Sequence, residues 1–344
     1  MSKSVAIWLF ACAAFVIVAT QVGAITRLTE SGLSIVEWNP LKGALPPLNE
    51  LQWQDEFARY QTSPQYKQVN EGMSLEDFKK IYFWEWLHRL LDRLLGLAYF
   101  LPLVWFWKTG KIPAEKKKPL MGIFLLGAAQ GALGWLMVKS GLESRPSVSH
   151  YLLAAHLMLA MVIFCCMLRM AFIFNGPRPS GSAALAPIRS LVRLAVGLVA
   201  ATMTWGAFTA GLRAGVLYGD TFPMMGAHLW PGEMVSLSPL WHNFFENPAA
   251  VQFTHRVLAV ATFVVLMALS AKGLMLKPSS PLRLLLIALC AMACAQVGLG
   301  IGTLLTHVNI VVATLHQAGA LILLALLMAL LHNIPHRGET HATR

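Results

Sequence analysis

Charge is scarce in this chain. Charged residues make up 12% of its 344 residues, against 56% hydrophobic residues and a mean hydropathy of +0.59. A soluble domain carries about 25% charge, so a water-soluble globular fold is excluded and an integral membrane protein is implied. Acidic residues are rarer than basic ones, 16 against 27, which leaves a net charge of +11. Cysteine is scarce too. Cys12, Cys165, Cys166, Cys290 and Cys294 all lie in apolar stretches, and none has Cys-x-x-Cys spacing. Zinc and disulfide frameworks are thereby excluded, and these cysteines read as small buried hydrophobes.

What the chain has in quantity is apolar length. Runs of the ~20 residues needed to cross a bilayer occur near 5–26, 81–107, 119–139, 150–174, 190–211, 250–271, 282–305 and 309–331. They predict eight transmembrane helices in an all-α fold. Lys3, Lys108, Lys111, Lys116, Lys117, Lys118, Arg169, Arg178, Arg189 and Arg193 gather at one set of helix ends. Lys272, Lys277, Arg283, Arg337 and Arg344 join them. The long 28–77 loop on the other side mixes Glu30, Glu37, Glu50, Asp55, Glu56, Glu71, Glu76 and Asp77 with fewer bases. The positive-inside rule places both termini in the cytoplasm. The basic excess is thus a topology signal, and nucleic-acid binding is set aside. Segment 5–26 has too long an apolar run for a signal peptide, and no Arg- and Ser-rich transit segment precedes it. A bacterial plasma (inner) membrane is expected.

The chain also repeats itself. Gly23-Ala24-x-Thr26 corresponds to Gly206-Ala207-x-Thr209, and Ala129-Gln130-x-x-Leu133-Gly134 to Ala295-Gln296-x-x-Leu299-Gly300. His88-Arg89 corresponds to His255-Arg256, and His156 to His316. Four helices per repeat give both halves one orientation, as in parallel repeats about an axis along the membrane normal. The expected architecture is two pseudo-symmetric four-helix bundles, 1–175 and 190–331, joined by a basic link and followed by a cytoplasmic tail at 332–344. The four histidines then lie on helices two, four, six and eight, about five to eight residues from the outer end, or roughly 8–12 Å deep at 1.5 Å per residue.

Histidine is costly inside a bilayer and is kept there with a partner or a function. One such histidine alone reads as a hydrogen bond to a neighbouring helix. Four at equivalent positions of a duplication point to two bis-histidine haem sites, since a bundle can hold a planar macrocycle between two helices. Haem is preferred to zinc because no Cys or carboxylate cluster completes a tetrahedral site. His150 and His307 fall at outer helix mouths, His228 and His242 in an outer loop, and His332, His336 and His341 near the C-terminus. These are expected to be solvated or interfacial. Gly127, Gly131, Gly134, Gly298, Gly300 and Gly302 crowd the odd-numbered helices. They read as close helix packing or as room for a flat ring or a prenyl tail.

The halves differ around the first histidine of each pair. Glu85 stands three residues before His88, on the same helix face, where Gln252 stands before His255. Asp92 and Arg93 face Ala259 and Val260. A carboxylate beside a haem can exchange protons or stabilise developing charge, whereas neutral surroundings suit a haem that only passes electrons. Two structural alternatives stand beside this: an ion pair of Glu85 with Arg89, and of Asp92 with Arg89 or Arg93. Arg89 and Arg256 suit haem propionates or a phospholipid at the helix end.

The segments Arg27-Leu28-Thr29-Glu30-Ser31-Gly32-Leu33-Ser34, Trp84-Glu85-Trp86-Leu87-His88-Arg89, Gln252-Phe253-Thr254-His255-Arg256 and Thr314-Leu315-His316-Gln317 resemble those of the haem A synthase family, in its proteobacterial and mitochondrial-type branch. The resemblance implies an eight-helix oxidoreductase that converts the C8 methyl group of haem O to a formyl group, giving haem A. By that resemblance His255 and His316 ligate a resident haem b, His88, His156 and Arg89 surround the substrate haem O, and Glu85 is the catalytic acid. Some bacterial members carry a cysteine pair in the first outer loop. Loop 28–77 has none, so it is expected to act as a lid, rich in Trp38, Trp53, Tyr60 and Tyr66. Membrane lipid, a haem O synthase, an electron-transfer partner and a second copy of the chain are the partners left open. A two-haem b-type electron-transfer cytochrome is the main rival, and Glu85 against Gln252 favours the enzyme. A transporter of parallel repeats calls for broken helices with polar midplane groups, which the pattern does not offer.

Overall fold

The computed structural model describes residues 2–37, 42–143, 146–176 and 182–334. Trp38, Arg178, His336, Arg337, His341 and Arg344 lie outside the described residues, as does the tail from 335 onward. Helix α1 (Lys3–Leu28) is followed by two short helices, α2 (Glu50–Gln61) and α3 (Pro64–Gln68). Then come α4 (Leu75–Lys108), α5 (Ala114–Glu143) and α6 (His150–Asn175). The chain continues through α7 (Arg189–Gly211), the single turn α8 (Asn243–Glu246), α9 (Pro248–Met275), α10 (Ser280–Leu305) and α11 (Ile310–Asn333). Among the described residues there is no strand, and eight helices are long and apolar enough to cross a membrane. The all-α membrane fold and the number of spans are as expected.

Helix ends follow local chemistry. Asn247 caps α9, accepting from the backbone N–H groups of Ala249 and Ala250, with Pro248 at the first helical position where its missing N–H costs nothing. Asn309 caps α11 in the same way, through Val311 and Val312. Ser74 caps α4 through Asp77, and Glu76 and Asp77 add negative charge to that first turn. Helix α4 therefore starts six residues before the apolar run that predicts it. His88 lies thirteen residues inside it, while His156, His255 and His316 follow their helix starts by six or seven.

By backbone contacts the chain divides into Ala11–Ile163 and a second unit, Met1–Phe10 with Phe164–Arg344. The end of α6 and the first turns of α1 thus belong together, and Phe10 meets Phe172 edge-on at 5.3 Å between ring centroids. In the second unit α7, α9, α10 and α11 form a closed ring, each packed against two others: α7 on α9, α9 on α10, α10 on α11 and α11 on α7. Helices α9 and α11 face each other across it.

In the unit Ala11–Ile163 the loop after α1 is a folded cap rather than an open strand of chain. Tyr60, Phe78 and Tyr82 form its buried core, with Trp53, Phe57 and Tyr66 packed around them. Gln65 Nε2 donates to the Glu30 carbonyl at 2.8 Å, and Trp86 Nε1 to Ala44 at 3.2 Å. The aromatic residues expected in a lid are what fix α2 and α3 onto the first turns of α4.

Candidate functional site

His255 on α9 is oriented by its neighbour. Its Nδ1 lies 3.0 Å from the carbonyl oxygen of Thr202 on α7, so Nδ1 donates and Nε2 is left as the lone-pair nitrogen. That is how a metal-ligating imidazole is commonly fixed by a second partner. The ring rests on Gly206, where an added Cβ would stand 3.1 Å from Cε1. Across the ring of helices, His316 rests on Gly300 of α10, where a Cβ would stand 2.9 Å from Cε1. Gln296 Nε2 donates to the His316 carbonyl at 2.8 Å. The two imidazoles lie within electrostatic reach of each other.

The other pair repeats the arrangement locally. His156 rests on Gly134, with Cε1 3.0 Å from a built Cβ, and Gln130 Nε2 donates to its carbonyl at 3.0 Å. His88 rests on Gly23 but presents Nε2, at 3.0 Å, and this nitrogen also faces Asp92 Oδ2 at 3.6 Å. His88 and His156 too are within electrostatic reach. The glycines that let rings approach are thus Gly23, Gly134, Gly206 and Gly300. Close helix packing does not explain Gly127, Gly131 and Gly298, where a Cβ would meet nothing within 4 Å.

Glu85 is 2% exposed and fully engaged. Its Oε2 accepts from Ser34 Oγ at 2.7 Å and from the Ile35 N–H at 2.8 Å, while Oε1 accepts from Arg89 Nη2 at 2.6 Å. Arg89 also donates to the carbonyls of Ile35 and Glu37. Gln252 does the corresponding work with opposite polarity: its Nε2 donates to the carbonyls of Ala214 and Leu217, at 2.8 and 2.7 Å. Arg256 donates to Pro223 and Met224 and lies over the Phe222 ring. In each half the residue three before the histidine and the arginine after it hold the segment that follows the first helix. The guanidiniums expected at propionates are directed at backbone carbonyls here.

Among the described residues no three His, Cys, Asp or Glu side chains gather around one point that could hold an ion. A haem asks less of the protein, one or two axial ligands, and two facing histidines meet that demand. His156 Nδ1 and His316 Nδ1 are buried with no hydrogen-bond partner. The donor set fits haem.

Comparison with known proteins agrees with the motifs. Residues 6–328 match the cytochrome oxidase assembly protein family. A protein named haem A synthase from Rhodospirillum centenum is 49% identical over 330 residues, covering 96% of this chain and 88% of its own length. Those from Nitrosospira multiformis and Azorhizobium caulinodans are each 45% identical, covering 94% and 96% of this chain and 91% and 93% of their own. The chain belongs to the haem A synthase family.

Within this family member the structure brings together His88 with His156, His255 with His316, and Glu85 with Arg89. Asp92, expected beside an arginine, stands beside His88. His150, expected to be solvated or interfacial, is 9% exposed, and its ring lies beside that of Tyr151 with centroids 4.1 Å apart. Sequence reasoning did not reach the Thr202 carbonyl, which has no side-chain signature. It found the repeated Gly23, Gly134, Gly206 and Gly300 as markers of duplication without their use as seats for histidine.

Proposed function

We propose that this protein is an enzyme of haem A biosynthesis that oxidises the C8 methyl group of haem O to a formyl group, with a resident haem b held between His255 and His316. The observation that carries this is the His255 imidazole. Its Nδ1 is committed to Thr202, its ring is backed by Gly206, and His316 stands opposite on the facing helix. A haem b held there supplies one-electron transfer. The carboxylates of the other half are missing beside it: Gln252 stands where that half has Glu85, and Ala259 where it has Asp92.

His88 and His156 flank the substrate haem O in the other half. Glu85 fixes segment 34–37 above His88 and keeps a buried carboxylate near it, and Ser34 Oγ gives that carboxylate a hydroxyl through which a proton can arrive or leave. Arg89 supplies the countercharge to this carboxylate. The capping loop packs its aromatic residues on the first turns of α4. Both termini are assigned to the cytoplasm and the 28–77 loop to the outer face of a bacterial plasma membrane, in line with the lysine and arginine distribution.

Extraction and identification of the haems in purified protein tests the reading. Haem B together with haem O or haem A is expected. Two equivalents of haem B alone would instead make the protein an electron-transfer cytochrome.

A further inference from the structure

The segment joining α7 to α9 ends in the run Leu237-Ser238-Pro239-Leu240-Trp241-His242-Asn243-Phe244-Phe245, which contains no Lys, Arg, Asp or Glu. Its large apolar side chains are on the outside. Leu240 is 68% exposed, Trp241 59% and Phe244 53%, and Leu237 is exposed as well. The aromatic residues of the cap after α1 do the opposite, with Tyr60, Phe78 and Tyr82 buried. An apolar surface of this kind marks contact with a partner or a membrane.

The polar groups of the run are turned inward. Asn243 is buried, and its Oδ1 accepts from the Leu237 N–H at 3.0 Å. Its Nδ2 donates to the carbonyls of Leu237 and Leu240, at 2.9 and 3.0 Å. The His242 N–H donates to the Pro239 carbonyl, and Pro239 has no N–H of its own to place. Asn247 Nδ2 in turn donates to Asn243 Oδ1 at 2.9 Å and to the Glu233 carbonyl at 2.6 Å. A loop in water can leave such backbone groups to solvent. At membrane depth, irregular backbone has to find its partners within the protein, as it does here.

Depth follows from α7. Trp205 stands six residues before the end of that helix, about 9 Å along it at 1.5 Å per residue. Its Nε1 donates to the Phe244 carbonyl at 3.2 Å. The Phe245 ring lies 5.9 Å from that of Trp205 and 6.0 Å from that of Phe208, and the Trp241 ring lies 6.5 Å from Phe245. The run therefore lies alongside the last two turns of α7 rather than beyond its end. Helix α7 is long and apolar enough to cross the membrane, so what surrounds it at this level is lipid.

We propose that Leu237, Leu240, Trp241 and Phe244 form a membrane-seated surface, held beside α7 in the interfacial layer of the bilayer with lipid as its partner. Tryptophan favours that layer, and an element with one apolar face and its polar groups on the other side lies in it rather than across it. The proposal needs only the spanning helices. It depends neither on the histidine assignments nor on which side of the membrane is outer.

The test uses the full-length haem-loaded protein in phosphatidylcholine bilayers. Leu240→Cys carries a nitroxide label and is compared with Glu71→Cys, an exposed position in the cap, each measured above the parent's background. Spin relaxation is read with oxygen, which gathers in hydrocarbon, and with a nickel chelate, which stays in water. Oxygen should dominate at position 240 and the chelate at position 71, with haem absorbance matching the parent's. A chelate-dominated label at position 240 overturns the proposal by placing the run in water. Exclusion of both reagents there also overturns it, because protein would then cover the run. The unmodified protein supplies an independent measurement. A carbene reagent confined to the bilayer should mark the peptide 237–245, and its failure to do so overturns the proposal even where the variant misfolds.

Discussion

Arg89 Nη2 donates to Glu85 Oε1 at 2.6 Å, one helical turn away, with side-chain exposures of 14% and 3%. Removing one partner of such a buried pair strands the other charge, at about 3–5 kcal/mol. The pair also anchors a segment: Glu85 holds Ser34 and Ile35 by their donors, and Arg89 holds Ile35 and Glu37 by their acceptors. Gln252 faces two carbonyls instead. The amide that suits one half therefore does not fit the other, although the two side chains have the same shape.

Glu85→Gln is expected to lower conversion of haem O to haem A by ~10²-fold or more, the scale for losing a positioned acid or base. Haem b content should be unchanged, because His255 and His316 are untouched. The measurement is haem A per haem b in membranes. Limited proteolysis of the 29–74 loop separates the two ways of losing activity. A loop as protected as the parent's points to lost chemistry, and a cleaved loop to a lost anchor. An unchanged haem A yield would leave Glu85 as an anchor only.

His255→Ala and His316→Ala should each lose the resident haem b, since one axial ligand holds haem less tightly than two. Retention of a normal low-spin haem b spectrum in both would remove this assignment.

The membrane makes much of this legible beforehand. A bilayer demands ~20 apolar residues per crossing, so α1, α6 and α11 can be read nearly to the residue. A duplication marks its own equivalent positions, which brought out the four histidines. Where soluble rules take over, legibility falls. Helix α4 gains its first six residues from the Ser74 cap, and the aromatic core of Tyr60, Phe78 and Tyr82 joins segments far apart in sequence. The work of Glu85 depends on which backbone groups residues 34–37 present, and the partner of His255 Nδ1 is a main-chain carbonyl that any residue could supply.

Topology is tested with single cysteines at two exposed positions. Glu71→Cys should react with an impermeant thiol reagent in intact cells, and Lys111→Cys only after the membrane is broken, each measured above the parent's background. The reverse order would invert the assigned orientation.

The segment joining α7 to α9 contains a titratable pair outside the membrane. Tyr218 Oη donates to Glu233 Oε1. That hydrogen bond pushes the Tyr218 phenol up to about 12 and holds the Glu233 carboxyl below its ordinary value. A depressed carboxyl contributes stability that is present above its unfolded value and lost as pH falls through the folded one. Protease resistance of this segment should therefore decline in acid, and Tyr218→Phe should abolish that dependence. A decline of the same size in Tyr218→Phe would assign it to other groups.

Glycine seats make the sharpest distinction between packing and function. At Gly300 a new Cβ would stand 2.9 Å from His316 Cε1, and at Gly206 it would stand 3.1 Å from His255 Cε1. Contacts that short force the ring to move, and overpacking of this kind costs roughly 1–3 kcal/mol. Gly298, on the same helix as Gly300, has nothing within 4 Å of its built Cβ. If the rings ligate iron, Gly300→Ala should shift or weaken the haem b absorbance and lower its retention during purification. Gly206→Ala should do so to a lesser degree, because its contact is looser and the Thr202 carbonyl still holds Nδ1. Gly298→Ala should leave the spectrum as it is. Optical spectra of the three variants at matched protein content decide the matter, and three identical spectra would mean that these histidines do not carry the haem.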